Sequence, residues 1–187
     1  MSFLLTLSTA FFLFNAIIQN GFGIEYARNP RNALIPIMAM ILSSIVSWSI
    51  HTFLLKPIGF GVFGVFLIFP ISVVCSLFVA KISILFKRGS REDLDPTCFS
   101  GFNGLAFFSA FQIVIFAQSF LQALIIALGG TLGFLCIIIL LNGIQKRSEV
   151  EAVPQFFKGQ PLLLISTGLV SLVFSELLPI VIRIFTN

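Results

Sequence analysis

The sequence predicts an all-α integral membrane protein: six transmembrane helices forming two inverted three-helix repeats, with helices 1 and 4 broken near the midplane. Three observations predict it. Of 187 residues, 58% are hydrophobic and only 10% charged, where a soluble domain carries about 25% charged residues. The apolar residues gather into six runs, each near the length that crosses a bilayer. Glycine clusters then interrupt the first and fourth runs at comparable places.

The first run is Phe3–Asn20. Only Met1 and Ser2 precede it, without the Lys or Arg that opens a secretion signal, so it reads as a retained span. The second and third runs are Leu34–Leu55 and Val62–Phe86, and the fourth is Cys98–Gln118. The fifth and sixth are Phe120–Leu141 and Leu162–Ile184. Three connectors are charged: Glu25 to Arg31, Lys87 to Asp95, and Gln145 to Lys158. The other two are very short, Lys56–Gly59 and the stretch at Gln118 and Ser119. No linker or low-complexity segment occurs, so the whole chain, 1–187, reads as one domain with repeat halves of about 1–90 and 91–187.

Charge orients these spans. Arg28 and Arg31, then Lys87, Arg88 and Arg91, then Lys146, Arg147 and Lys158 lie in the first, third and fifth connectors. The second connector holds only Lys56 and the fourth holds no charge. Under the positive-inside rule the basic connectors face the cytoplasm, and both termini are non-cytoplasmic. The net charge of +4 is thereby explained by membrane topology, and nucleic acid is excluded as a partner; membrane lipid takes its place.

The glycine clusters are Asn20-Gly21-Phe22-Gly23 and Ser100-Gly101-Phe102-Asn103-Gly104. An odd number of spans per half makes the second half insert upside down, and paired Gly-interrupted spans in such repeats mark broken helices. Gly21, Gly23, Gly101 and Gly104 are therefore the expected helix breaks. The alternative is that they only let helices pack closely.

Few residues carry chemistry. Glu25 follows the first glycine cluster, and Glu176 lies within the last apolar run. A carboxylate at membrane depth is costly and functional, whereas at the surface it is ordinary. Lys81 can snorkel to the interface, and His51 reads as an interfacial residue. Cys75, Cys98 and Cys136 form no C-x-x-C pair, and with one histidine they assemble no zinc set. No nucleophile elbow, phosphate loop or metalloprotease helix occurs, so nothing here breaks bonds alone.

Other stretches carry a family resemblance. They run from Phe120-Leu121-Gln122-Ala123-Leu124 through Gly129-Gly130-Thr131-Leu132-Gly133-Phe134 to Ile144-Gln145-Lys146-Arg147. Val153-Pro154-Gln155-Phe156-Phe157-Lys158-Gly159 and Leu163 to Leu172 follow. In the first half, Phe14-Asn15, Phe22-Gly23-Ile24 and His51-Thr52-Phe53-Leu54-Leu55-Lys56-Pro57 complete the pattern. The chain resembles the small membrane subunits of the Rnf and Na+-translocating NADH:quinone reductase (Nqr) complexes, in the Rnf A / Nqr E branch.

That resemblance implies a six-span inverted repeat in a bacterial inner membrane, paired with a homologous sister subunit of opposite topology. In the family, each of these two subunits gives two cysteines to a [2Fe–2S] cluster at the centre, through which electrons cross. Here the register puts Glu25 and Gly104 at the two cysteine positions, so the resemblance does not carry the cluster over to this chain. The resemblance implies a membrane subunit of an ion-translocating electron-transport complex, with Glu25, Asn103, Asn20 and Glu176 as its possible polar path. Two other readings stay open: a cluster-free transporter or channel subunit on the same scaffold, and a scaffold that holds a partner and moves nothing.

Overall fold

The structure is a computed structural model that describes residues 3–86, 103–150, 154, 156 and 159–186. Among these residues all regular structure is helical. Helix α1 spans Phe3–Leu13 and α2 spans Ala16–Asn20. Two short 3₁₀ turns lead into α3, Leu34–Ile50, which runs on as a π-turn at His51–Leu55 and a last α-turn at Lys56–Ile58. Next come α4 (Gly64–Phe86), α5 (Gly104–Phe116), α6 (Phe120–Val150) and α7 (Gln160–Thr186).

Burial is inverted relative to a water-soluble protein. Phe66, Phe53 and Leu172 are 75%, 70% and 66% exposed, whereas Asn15, Ser43, Ser44 and Ser72 are fully buried. Water would penalise that arrangement at every exposed ring, and lipid does not. Small and polar residues inside with large apolar ones outside is how membrane helices pack, since apolar surface gains nothing by leaving lipid tails. The chain is a multi-pass membrane protein.

Five apolar helical stretches are long enough to cross: Phe3–Asn20, Leu34–Ile58, Gly64–Ser83, Phe120–Ser148 and Gln160–Val181. The described part of the fourth expected span is shorter. At 13 residues, α5 rises only about 20 Å, at 1.5 Å per residue, and does not cross a 30 Å hydrocarbon core by itself. Gly101 and the remainder of that span, like the Lys87 to Asp95 connector, lie outside the described residues. The fifth helix overruns its expected end at Leu141. It continues to Val150 because Gln145, Lys146 and Arg147 carry on the helix as a polar extension of the apolar run.

The α5–α6 junction is as short as expected. Ser119 Oγ accepts the Gln122 amide at 3.2 Å, and Gln122 Oε1 accepts the Gln118 amide at 3.1 Å. This reciprocal cap starts α6 three residues after Ala117 closes α5.

Packing divides the chain into two compact units, Met1–Arg31 with Gly129–Asn187, and Asn32–Leu128. In the first, the opening span packs with the second part of α6 and with α7. Phe174 of α7 lies 5.3 Å from the Phe12 ring and 6.4 Å from that of Phe11. In the second, α5 packs on α3 and α4. Ser43 Oγ donates to the Ala106 carbonyl at 2.9 Å, Ser44 and Ser109 share a 2.5 Å hydroxyl contact, and Ala110 and Val114 meet Ile68. Trp48 Nε1 donates to the Ala117 carbonyl at 3.1 Å, fixing the end of α5.

Candidate functional site

The first span is broken, but not at its glycines. The helix stops at Leu13 and restarts at Ala16, with Asn15 extended (φ −87°, ψ 114°) just before the restart. Asn15 Oδ1 accepts the Ile17 amide at 3.1 Å and so caps the new helix. The Leu13 carbonyl, left over at the end of α1, accepts from Gln19 Nε2. Gly21 then ends α2 in the left-handed region (φ 67°), and the Phe22 amide reaches back to the Ala16 carbonyl. The Gly21 amide itself returns to the Ile17 carbonyl at 2.9 Å, the single 5→1 bond of a left-handed helix end, which favours glycine. Gly23, also left-handed, opens the 3₁₀ turn Ile24–Ala27.

Backbone that leaves a helix at membrane depth has to be covered by protein. Here α6 covers it with glycine. A Cβ at Gly133 would collide with the Phe11 carbonyl and stand 3.1 Å from Asn15 Nδ2; one at Gly129 would lie 2.6 Å from the Ala10 Cβ. Gly130 faces the Phe14 carbonyl, 3.3 Å from where its Cβ would be. Asn15 is fully buried, yet its Nδ2 group has no hydrogen-bond partner among the described residues. A donor without a partner in so dry a place is costly. It marks the break as more than a packing joint.

Beyond the break the 3₁₀ turn carries Glu25. Tyr26 and Ala27 are buried, and Asn142 of α6 donates to the Ala27 carbonyl at 2.6 Å, which pins the turn. Glu25 stays exposed and lines a cavity of about 250 Å³ with Ile24, Arg28, Gln160, Leu163 and Leu164. One carboxylate, one guanidinium and one amide thus share an otherwise apolar pocket. Such an open pocket presents both a carboxylate and a guanidinium to a small charged solute.

The other expected residues fall elsewhere. Asn20 ends α2 and is exposed; Glu176 is exposed on α7; neither lines this cavity. Asn103 caps α5, accepting the Leu105 amide at 3.1 Å, and Gly104 is the first residue of that helix. The described residues contain two free cysteines, Cys75 buried on α4 and Cys136 exposed on α6. They contain no group of three or more His, Cys, Asp or Glu placed to hold a metal.

No protein-family model matches the chain, but individual proteins do. A protein of Pectobacterium atrosepticum, named as the A component of an ion-translocating oxidoreductase complex, is 30% identical over 141 residues, covering 72% of this chain and 70% of that one. Its namesake from Azoarcus sp. is 27% identical over 144 residues, with the same coverage. Another from Syntrophotalea carbinolica is 41% identical, but over 56 residues, 30% of this chain and 29% of that protein. The chain belongs to the RnfA family of ion-translocating oxidoreductase components.

For this RnfA relative, sequence reasoning finds Glu25 and Asn103 but misses what surrounds them. Asn15 is visible only as part of a family pattern, although Asn before a short apolar run is a helix-start signal in its own right. Arg28 reads as a topology charge, and Gln160 gives no signal. Arg28 stands three residues from Glu25 on the same stretch, but the meeting with Gln160 joins two segments far apart in the chain, which no local signal reports.

Proposed function

We propose that this chain is a membrane subunit of an Rnf-type ion-translocating electron-transport complex, acting with a homologous sister subunit and other redox subunits. The likeness over seven-tenths of both chains carries the proposal. The inverted repeat draws support from matched packing: the first span packs on the fifth and sixth, and the fourth on the second and third. An Asn caps the helix in both the first and fourth spans, as Asn15 and Asn103.

The family's [2Fe–2S] cluster does not fit the residues present. At its two cysteine positions we place Glu25 and Gly104, a hard carboxylate and no side chain. Iron–sulfur centres need thiolates; among the described residues Cys75 and Cys136 stand on other helices, and Cys98 lies outside the described residues. We therefore route no electron through this chain's own residues. Glu25 and Gln160 instead offer oxygen ligands to a partly dehydrated cation, and Arg28 competes with that cation for the carboxylate. Oxygen donors suit a hard monovalent ion where sulfur does not.

This pocket also favours a second reading, a cluster-free transporter subunit on the same scaffold. Purification from native membranes separates the two. Iron, flavin and NADH-oxidising partners support the first, and a hetero-oligomer without cofactors supports the second. The cation role is tested by substitution. Glu25→Gln is expected to abolish or strongly weaken the ion dependence of transport, and Arg28→Gln to shift it to lower ion concentration. Unchanged ion dependence in both variants removes the pocket from the path.

A further inference from the structure

The second span contains a polar site unrelated to Glu25. Helix α3 widens into a π-turn at His51–Leu55, an irregularity concentrated at functional sites. Proline explains the widening. A Pro ring at position 57 would press on the carbonyl of the preceding turn, and its nitrogen carries no hydrogen to donate. The Lys56 amide goes to the His51 carbonyl. The Thr52 carbonyl thereby loses its α donor to residue 51, while its π donor would be Pro57.

Three side-chain atoms in this turn and the one before it lack partners. Ser47 Oγ, His51 Nδ1 and Thr52 Oγ1 are buried, with no hydrogen bond among the described residues. Other helical hydroxyls in this chain bond back to a carbonyl, as Ser49 does to Ile45 at 2.8 Å and Ser76 to Ser72 at 2.8 Å. Ser47 and His51 are four apart and share a helix face. The ring itself is held in place. Its Nε2 lies 3.2 Å from the Gly61 carbonyl, and a Cβ at Gly64 would strike its Cδ2. A carbonyl only accepts, so Nε2 carries the hydrogen and Nδ1 of the neutral ring is a free acceptor.

We propose that this π-turn binds water within the second span and that His51 Nδ1 is its proton-accepting station. Buried water takes two to four hydrogen bonds from otherwise unsatisfied groups. Ser47 Oγ and His51 Nδ1 supply two on one helix face, and the Thr52 hydroxyl and carbonyl stand one residue further round the turn. A hydronium reaching the site gives its proton to Nδ1. It leaves as water, and the resulting imidazolium keeps its other N–H on the Gly61 carbonyl. The facing segment, Gly61–Ile68, contains no titratable residue, and Lys56 on the same helix is exposed.

His51 is the sole histidine of the chain, which makes the test direct. The full chain, labelled with nitrogen-15 histidine and placed in lipid nanodiscs, gives one imidazole signal by solid-state NMR. The expected spectrum shows the Nε2–H tautomer, magnetisation transfer from water to the ring, and conversion to the doubly protonated ring on acidification. Ser47→Ala with Thr52→Val is expected to cut the water transfer several-fold. A ring without water transfer in the unsubstituted protein, the Nδ1–H tautomer, or a ring that never protonates overturns the proposal. So does an unchanged ring signal in the double variant.

Discussion

Two of the described helices begin on an asparagine, and their neighbours treat them differently. At Asn15 the covering helix offers glycine: Gly129, Gly130 and Gly133 bring its backbone against that of Leu7 to Phe14. At Asn103 the covering helix offers serine. Ser43 and Ser44 reach out to the Ala106 carbonyl and the Ser109 hydroxyl. The first joint is made by closeness and the second by hydrogen bonds. Glycine tolerates nothing larger, whereas serine can lose a bond and keep its shape. The comparison predicts steric fragility in one unit and graded, modest losses in the other.

The largest effect is expected at Gly133→Ala. The new methyl would meet a backbone carbonyl, which cannot swing aside like a flexible side chain, so the cost is about 1–3 kcal/mol from overpacking. Gly143 makes the internal control, since a Cβ there meets nothing within 4 Å. Replacing it by Ala is expected to stabilise the helix by about 0.5–1 kcal/mol. Denaturation of the purified protein in mixed micelles measures both. Equal behaviour of the two variants breaks the proposed role of the glycine face.

These joints also show where sequence was informative. Long apolar runs and charged connectors were legible because each is a local property read over about 20 residues. Five of the six spans match long apolar helices. The location of the break was not legible. Gly21 and Gly23 drew attention because glycine permits positive φ, and both do adopt it. They end the half-helix rather than break the span, which Asn15 does. Glycine reports what a backbone may do, while an extended Asn reports where the helix must restart. The partnership of Glu25 with Gln160 was hidden for a different reason. It is made by tertiary packing across more than a hundred residues, and a single sequence carries no trace of it.

Next in size are the two caps. Asn15→Ala and Asn103→Ala each remove the acceptor for a helix-start amide, a loss of about 1 kcal/mol. Serine separates them further. Asn15→Ser keeps a capping oxygen and deletes the unpartnered Nδ2 group, so stability is expected to hold or rise. Asn103→Ser has no such group to delete and is expected to lose a few tenths of a kcal/mol, within the spread of good caps. Should Asn15→Ser instead lower ion-coupled activity while raising stability, the Asn15 amide serves function at the expense of the fold. Should it lower stability of the isolated chain, the amide has a partner and the break is an ordinary joint.

The smallest effect belongs to Ser44→Ala. Its hydroxyl contact with Ser109 is short at 2.5 Å, but hydrogen bonds between membrane helices average only about 0.6 kcal/mol. Ser109 also has a second acceptor, the Met40 carbonyl at 3.4 Å, so it is not stranded when Ser44 loses its oxygen. A double-mutant cycle of Ser44→Ala with Ser109→Ala isolates the pair. A coupling of about half a kcal/mol fits a joint made of several replaceable bonds. A coupling several times larger would make the serine joint as brittle as the glycine one, and the contrast between the two units would then lie in chemistry alone and not in tolerance.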